Sequence, residues 1–293
     1  MNDSKSNSEL SPLVETAWLA EHLGDPDLRI FDCSVVMEMT DGEYKFVSGR
    51  KEWEKGHIPG SDFIDVMGEL RDPENHLPMM MPPVELFAQK MGAHGVGTGT
   101  KVVLYDRTNH AWAARVWWML RVAGFTNAAV LNGGWTKWLA EDQEISMEPA
   151  VYPRATFVPK HRPELFADKQ EVLDSLHKGE ICIINPLSPE EFSGKTSRFA
   201  RPGRIPGSEN VFCQTLVDPK SGAFLPLDAL KEKFTGTNAA NADRVITYCG
   251  AGIAASSDAF VLTLLGMKNV AVYDGSLSEW AADPSLPMET DSE

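Results

Sequence analysis

The chain has 293 residues, 43% of them hydrophobic and 24% charged, enough for two globular domains with buried cores. Its formal net charge of −15 argues against general nucleic-acid binding and against docking on anionic membranes, since both favour basic surfaces. Cys33, Cys182, Cys213 and Cys249 form no Cys-x-x-Cys pair and no cluster with metal-ligand spacing, so neither a disulfide framework nor a structural zinc site is expected.

From the N-terminus, Met1 to Leu10 is polar and lacks the apolar core of a signal peptide, and no stretch approaches the roughly 20 apolar residues of a membrane span. A cytoplasmic, reducing location that keeps thiols free is the expectation. Leu28–Cys33 and Lys101–Tyr105 read as buried strands, Ala113–Ala123 as a helix and Ala128–Leu131 as a further strand. Pro149, Pro153, Pro159 and Pro163 punctuate the stretch from Glu144 to Pro163, which is expected to run extended as a join centred near residue 155. Beyond it, Ile181–Ile184, Arg244–Tyr248 and Val270–Tyr273 read as strands, and Ser256–Leu265 as a helix stopped by Gly266. Strand–helix alternation implies parallel sheets with helices on both faces, and strands rich in Val, Ile and Tyr fit burial on both sides.

The two halves repeat one another. His57-Ile58-Pro59-Gly60-Ser61 returns as Arg204-Ile205-Pro206-Gly207-Ser208. Val102-Val103-Leu104-Tyr105-Asp106 returns as Val245-Ile246-Thr247-Tyr248-Cys249. Val130-Leu131-Asn132-Gly133-Gly134 returns as Val272-Tyr273-Asp274-Gly275-Ser276, and Trp138 and Trp280 follow at matching spacing. Motifs in the same order in both halves mark a tandem duplication.

Within the second copy, a buried strand delivers Cys249 to the carboxyl edge of a parallel sheet, where open α/β folds place ligand sites. Gly250-Ala251-Gly252-Ile253-Ala254-Ala255 follows. Small residues let the backbone curl tightly and aim its N–H groups inward, and such a nest at a helix N-terminus favours an anion, here the cysteine's thiolate or a sulfur attached to it. The loop alone is equally compatible with a buried inert cysteine before an ordinary glycine turn. The repeat tips the balance, because the equivalent residue of the first copy is Asp106, and one reactive copy beside one scaffold copy is the simplest account.

These features resemble the rhodanese family, specifically its tandem-domain sulfurtransferases, over nearly the whole chain from Val14 to Pro287. Gly56-His57-Ile58-Pro59-Gly60, Arg115-Val116-Trp117-Trp118-Met119, Asn132-Gly133-Gly134-Trp135, and Tyr273-Asp274-Gly275-Ser276 with Glu279-Trp280 carry the resemblance. It implies an α/β fold of two tandem rhodanese-like domains, each a mostly parallel sheet flanked by helices on both faces. The domains are expected at 10–145 (non-catalytic, with Asp106 at the cysteine position) and 164–290 (catalytic), joined by a linker at 146–163.

The resemblance also bears on the sulfur donor. Thiosulfate-type members tend to place Arg and Lys just after the cysteine, whereas the loop here looks more like the Cys-Gly-Ser-Gly-Val-Thr loop of 3-mercaptopyruvate sulfurtransferases. A neutral loop suits a donor with one carboxylate held from outside it. Asp65 and His76 match positions where those enzymes carry an acid and a histidine proposed to move protons, although the loop serine of that relay is Ala251 here. Family arginines that bind the donor come from the segment before the second Ile-Pro-Gly motif, which points to Arg198 or Arg201. Arg204 stands at the motif's usual histidine position, and the family's earlier arginine falls near Glu191.

The expected chemistry is transfer of a sulfane sulfur from 3-mercaptopyruvate through a Cys249 persulfide to thioredoxin, a small thiol or cyanide, with Gly250, Ala251, Gly252, Ile253 and Ala254 cradling the sulfur and no cofactor or metal. The alternatives are thiosulfate as donor, or a non-catalytic rhodanese-like binding module. A related cysteine-loop phosphatase is disfavoured because positions 250 to 256 lack the Arg that would hold phosphate. A monomer is expected, since the duplication already builds a two-domain cleft in one chain.

Overall fold

A computed structural model describes residues 10–40, 43–176 and 180–291. The first half contains β1 (Leu13–Val14), α1 (Thr16–His22), β2 (Leu28–Asp32), β3 (Val35–Thr40), β4 (Glu43–Ser48), α2 (Arg50–Glu54), β5 (Ser61–Phe63), α3 (Val84–Ala93), β6 (Lys101–Tyr105), α4 (Ala111–Val122), β7 (Ala128–Leu131) and α5 (Gly134–Ala140). The second contains β8 (Phe166–Ala167), α6 (Lys169–Ser175), β9 (Ile181–Asn185), α7 (Pro189–Ser193), β10 (Glu209–Asn210), α8 (Leu227–Lys233), β11 (Arg244–Thr247), α9 (Ile253–Leu264), β12 (Val270–Tyr273) and α10 (Ser276–Trp280). Each half forms an all-parallel five-stranded sheet, in the orders β1-β7-β6-β2-β5 and β8-β12-β11-β9-β10. The two orders are the same strand for strand, which is the duplication seen as topology.

Strand residues alternate between two cores. Val103 and Tyr105 of β6 join Ile30, Leu131 and Trp138 on one face. Val102 and Leu104 enter a larger core on the other face that continues into the second domain. There α4 packs on α9, with the Trp117 ring 4.8 Å from that of Phe260. Fully burying one such ring contributes roughly 2–3 kcal/mol, so this shared core holds the domains together.

The repeated motifs have a repeated physical task. Tyr105 accepts from the Ile58 N–H and shares a hydrogen bond with Ser61, while Tyr248 does the same with Ile205 N–H and Ser208. Each Ile-Pro-Gly-Ser turn is thereby fastened to the strand that ends in Asp106 or Cys249. Buried phenols need a partner, which is why the pairs recur together. Trp138 and Trp280 likewise donate to the backbone of the segments that close each domain, at Glu144 and Pro287.

Two features depart from the sequence reading. The helix expected from Ser256 begins at Ile253, because Gly252 adopts a left-handed conformation (φ 77°) that starts α9 there. Ala254 and Ala255 extend the helix as strong helix formers do, so Ile253 and Ala254 belong to its first turn and the loop proper is Gly250–Gly252. The antiparallel pair β3–β4, with Met37 opposite Phe46 and Met39 opposite Tyr44, is not among the expected elements and has no counterpart among the described residues of the second domain.

Candidate active site

Cys249 is 3% exposed, just beyond the end of β11. Its N–H donates to Ser276 Oγ (3.0 Å), and Ser276 donates in turn to Tyr273 O (2.7 Å). Leu277 N–H donates to Cys249 O, and both the N–H and the hydroxyl of Ser278 donate to Gly250 O. The start of α10 thus takes up the loop's carbonyls. Ser276 has φ 49°, a region costly for a residue with a side chain, and its two hydrogen bonds hold it there.

The first domain shows what such a loop binds. Asp106 Oδ1 accepts from the N–H groups of Thr108 and His110, both at 3.0 Å. Asp106 Oδ2 accepts from Trp112 (3.1 Å) and Ala113 (3.0 Å). Four backbone donors at a helix N-terminus converge on one carboxylate, an anion nest filled by its own side chain. The second domain repeats the strand, the left-handed residue before the helix and the helix start. Its first-turn N–H groups are orphan donors in the same way.

The rim of the cysteine loop comes from the stretch between α7 and β10. A Cβ on Gly250 would lie 2.8 Å from the Phe199 ring, so the close approach of that ring requires glycine. Arg198 lies against Phe199 (5.5 Å to the ring centroid), is 58% exposed, and places Nε 3.2 Å from Glu191 Oε1.

Arg201, the other expected donor-binding arginine, is occupied by backbone carbonyls. Its guanidinium donates to four backbone carbonyls, those of Trp280, Ala281, Asp283 and Leu286, and ties the rim to the end of α10. Arg204, stacked on Phe192, donates to Glu289 and Asp291.

The strap after β5 reaches the turn after β12, beside the cysteine loop. Met81 N–H donates to Asp274 Oδ2 (2.8 Å), and Arg115 Nη2 donates to Met79 O (2.7 Å). Arg115 Nη1 and Asp274 Oδ1 form an ion pair at 2.6 Å, both residues buried. A Cβ on Gly252 would meet both side chains, so the pair lies against the start of α9. The exchange is mutual, because Phe224 N–H of the second domain donates to Asn132 Oδ1, the counterpart of Asp274. His76 is exposed on the strap. Asp65 is half-buried and accepts from Gly68 N–H (3.0 Å); no hydrogen bond joins it to His76 among the described residues.

The other three thiols are buried as Cys249 is. Burial pushes the thiols of Cys33, Cys182 and Cys213 up, with help from Asp32 and Asp106, from Glu209, and from Asp258 respectively. Such thiols stay protonated and inert. His110 Nε2 lies 2.6 Å from Ser257 Oγ across the domain boundary, and burial lowers its imidazole to about 3, so it is neutral.

Sequence reasoning missed Phe199, Asp258 and the anchoring serines Ser276 and Ser278, and marked Glu191 only as the place where the family's earlier arginine falls. Only the serines had a local signal, in the Asp274-Gly275-Ser276 turn.

A family model for the rhodanese-like domain matches residues 15–141 and again 168–283. The chain is 33% identical to the 3-mercaptopyruvate sulfurtransferase of Escherichia coli (strain K12), over 94% of this chain and 97% of that protein. It is 32% identical to thiosulfate/3-mercaptopyruvate sulfurtransferase 2 of Arabidopsis thaliana, over 98% of this chain and 90% of that one. The crystal structure of SseA from Escherichia coli, described as a 3-mercaptopyruvate sulfotransferase with the rhodanese fold, matches with a TM-score of 0.81 at 31% identity, covering 91% of this chain and 99% of that one. With the same strand order in both sheets, Asp106 and Cys249 at equivalent strand ends, and relatives matched over almost their full length, the chain belongs to the rhodanese-like family as a tandem-domain sulfurtransferase.

Proposed function

We propose that the protein moves a sulfane sulfur from 3-mercaptopyruvate to a thiol or cyanide through a persulfide on Cys249. The observation that carries this reading is the Asp106 nest. A carboxylate oxygen of Asp stands two bonds beyond Cβ, and so does the terminal sulfur of a cysteine persulfide. The carboxylate of the first domain is therefore a spatial image of a persulfide anion in the second. Donors preorganised at that point stabilise the covalent intermediate without reorganising. In the first half-reaction the Cys249 thiolate attacks the donor sulfur, the carbon–sulfur bond breaks, and the enolate of pyruvate leaves. In the second, the acceptor thiolate or cyanide takes the terminal sulfur and the Cys249 thiolate returns.

The donor assignment is supported by the uncharged Gly250–Gly252 loop and by Arg198, beside Phe199 and 58% exposed, whose two terminal amino groups have no hydrogen-bond partner among the described residues and could take one carboxylate. His76, on the strap pinned through Met81, is assigned to protonate the departing enolate, and Asp65 to shape the turn beneath it. Thiosulfate is the second reading, favoured by the similarity to the Arabidopsis thaliana relative, whose name carries both donors. Among the described residues no helix is long and apolar enough to cross a membrane. A cytoplasmic monomer that discharges sulfur to thioredoxin or a small thiol completes the proposal. Steady-state rates with each donor test it: a kcat/KM for thiosulfate far above that for mercaptopyruvate would overturn the donor choice.

A further inference from the structure

A continuous set of contacts leads from the reactive loop to an acidic residue outside it. Phe199 lies on Gly250, next to Cys249, and the Arg198 guanidinium lies 5.5 Å from the centroid of the Phe199 ring. Arg198 Nε pairs with Glu191 Oε1 at 3.2 Å. Glu191 is itself held in place at the start of α7. Its N–H donates to Ser188 Oγ (3.2 Å), and the Ser188 hydroxyl donates back to Glu191 Oε2 (3.3 Å). Of the three arginines in this segment, Arg201 is consumed by carbonyls and Arg204 by Glu289 and Asp291. Arg198, 58% exposed, has no such set of carbonyls and no second carboxylate among the described residues, and the one carboxylate fixed beside it offsets its charge.

We propose that Glu191 is a specificity-determining residue. By pairing with Arg198 it leaves the donor rim of the Cys249 loop without net positive charge, so that the site takes monoanionic donors and discriminates against dianionic ones. The proposal rests on the sulfur-transfer reading above. Its physics is simple: a fixed carboxylate lowers the local potential, and a donor with two negative charges feels that change twice as strongly as a donor with one. The apolar ring of Phe199 adds no compensating donor. Glu191 does not touch the reacting atoms; it acts through the guanidinium.

Glu191→Gln keeps the shape of the side chain and removes its charge, while Glu191→Asp keeps the charge. The expected result for Glu191→Gln is that kcat/KM for thiosulfate, relative to that for mercaptopyruvate, rises about fivefold at low ionic strength and falls back toward the wild-type ratio in about 0.5 M salt, where charges are screened. Glu191→Asp should keep the wild-type ratio. A ratio that does not move in Glu191→Gln, or that moves equally in Glu191→Asp, overturns the assignment. Intact mass after incubation with each donor separates the two claims. A wild-type protein that gains no sulfur from either donor sinks the sulfur-transfer reading and this proposal with it. A sulfur adduct with an unmoved donor ratio sinks only the role of Glu191.

Discussion

The two domains end the same strand in opposite ways. β6 delivers Asp106, whose carboxylate is held by four backbone N–H groups of its own loop. β11 delivers Cys249 into a loop of glycine and alanine whose carbonyls are taken up by Leu277 and Ser278. In one copy the nest is filled by its own carboxylate; in the other, on the sulfur-transfer reading proposed above, it is left for chemistry. On that reading one backbone geometry serves as a structural clasp in one domain and as a reactive site in the other, and the side chain at the strand end decides which. The domains also reach into each other by matching contacts, Met81 to Asp274 and Phe224 to Asn132. Only the contact that touches the cysteine loop carries a buried ion pair, Arg115 with Asp274.

The largest effect is expected from breaking that asymmetric contact. Arg115→Met leaves Asp274 buried without its cation, which typically costs about 3–5 kcal/mol. Thermal unfolding should show a large loss of stability, and donor turnover should fall with it. A melting temperature near that of the wild type would show that the pair does not hold the cleft.

The second test sets clasp against site. Asp106→Ala removes the acceptor for four N–H groups, and hydrogen bonds to a charged group are worth about 1.5–3 kcal/mol each in favourable cases. Cys249→Ala removes no hydrogen-bond acceptor of that kind. Denaturant titration should show a loss of several kcal/mol for the first variant and little change for the second. Equal losses would mean that the two loops do the same structural work.

A smaller effect tests the boundary between the domains through pH. His110 is held neutral, at about 3, while an imidazole in the unfolded chain titrates near 6.5. Between those values the unfolded chain takes up the proton and the folded one does not, so His110 contributes stability above pH 6.5 that is lost as pH falls toward 3. Asp258, fully buried with no hydrogen-bond partner among the described residues and with its carboxyl pushed up by burial, acts in the opposite sense and costs stability as pH rises above the normal carboxylate range. The comparison is therefore made between wild type and His110→Asn. The variant should lose less stability between pH 6.5 and 4, and parallel curves would place the acid sensitivity elsewhere.

The frame of the fold was legible because burial leaves a local mark. Runs such as Val102–Tyr105 and Val270–Tyr273 are strands whatever packs on them, and the duplication set Asp106 opposite Cys249 before any coordinates were needed. The start of α9 was misread because Ala254 and Ala255 serve a tight loop and a helix equally well, and the left-handed Gly252 decides between them. The β3–β4 pair left a signal that went unused, since Met37, Met39, Tyr44 and Phe46 alternate around Asp41-Gly42 as hairpin strands do. Arg201 illustrates the limit of a segment-level argument. Its neighbourhood in sequence suggested a donor clamp, but its four carbonyl partners lie some 80 residues away in the chain. Phe199 was illegible for the same reason, and Glu191 was legible only as a missing family arginine, because their setting exists only once the chain has folded residue 199 over residue 250.

The central claim is that the nest of the second domain holds a persulfide where the first holds a carboxylate. Intact mass spectrometry of the protein after incubation with 3-mercaptopyruvate tests it most directly. The account predicts one added sulfur atom on the wild type, mapped to Cys249 and absent in Cys249→Ser. An unmodified wild type, or an adduct that survives Cys249→Ser, would contradict it.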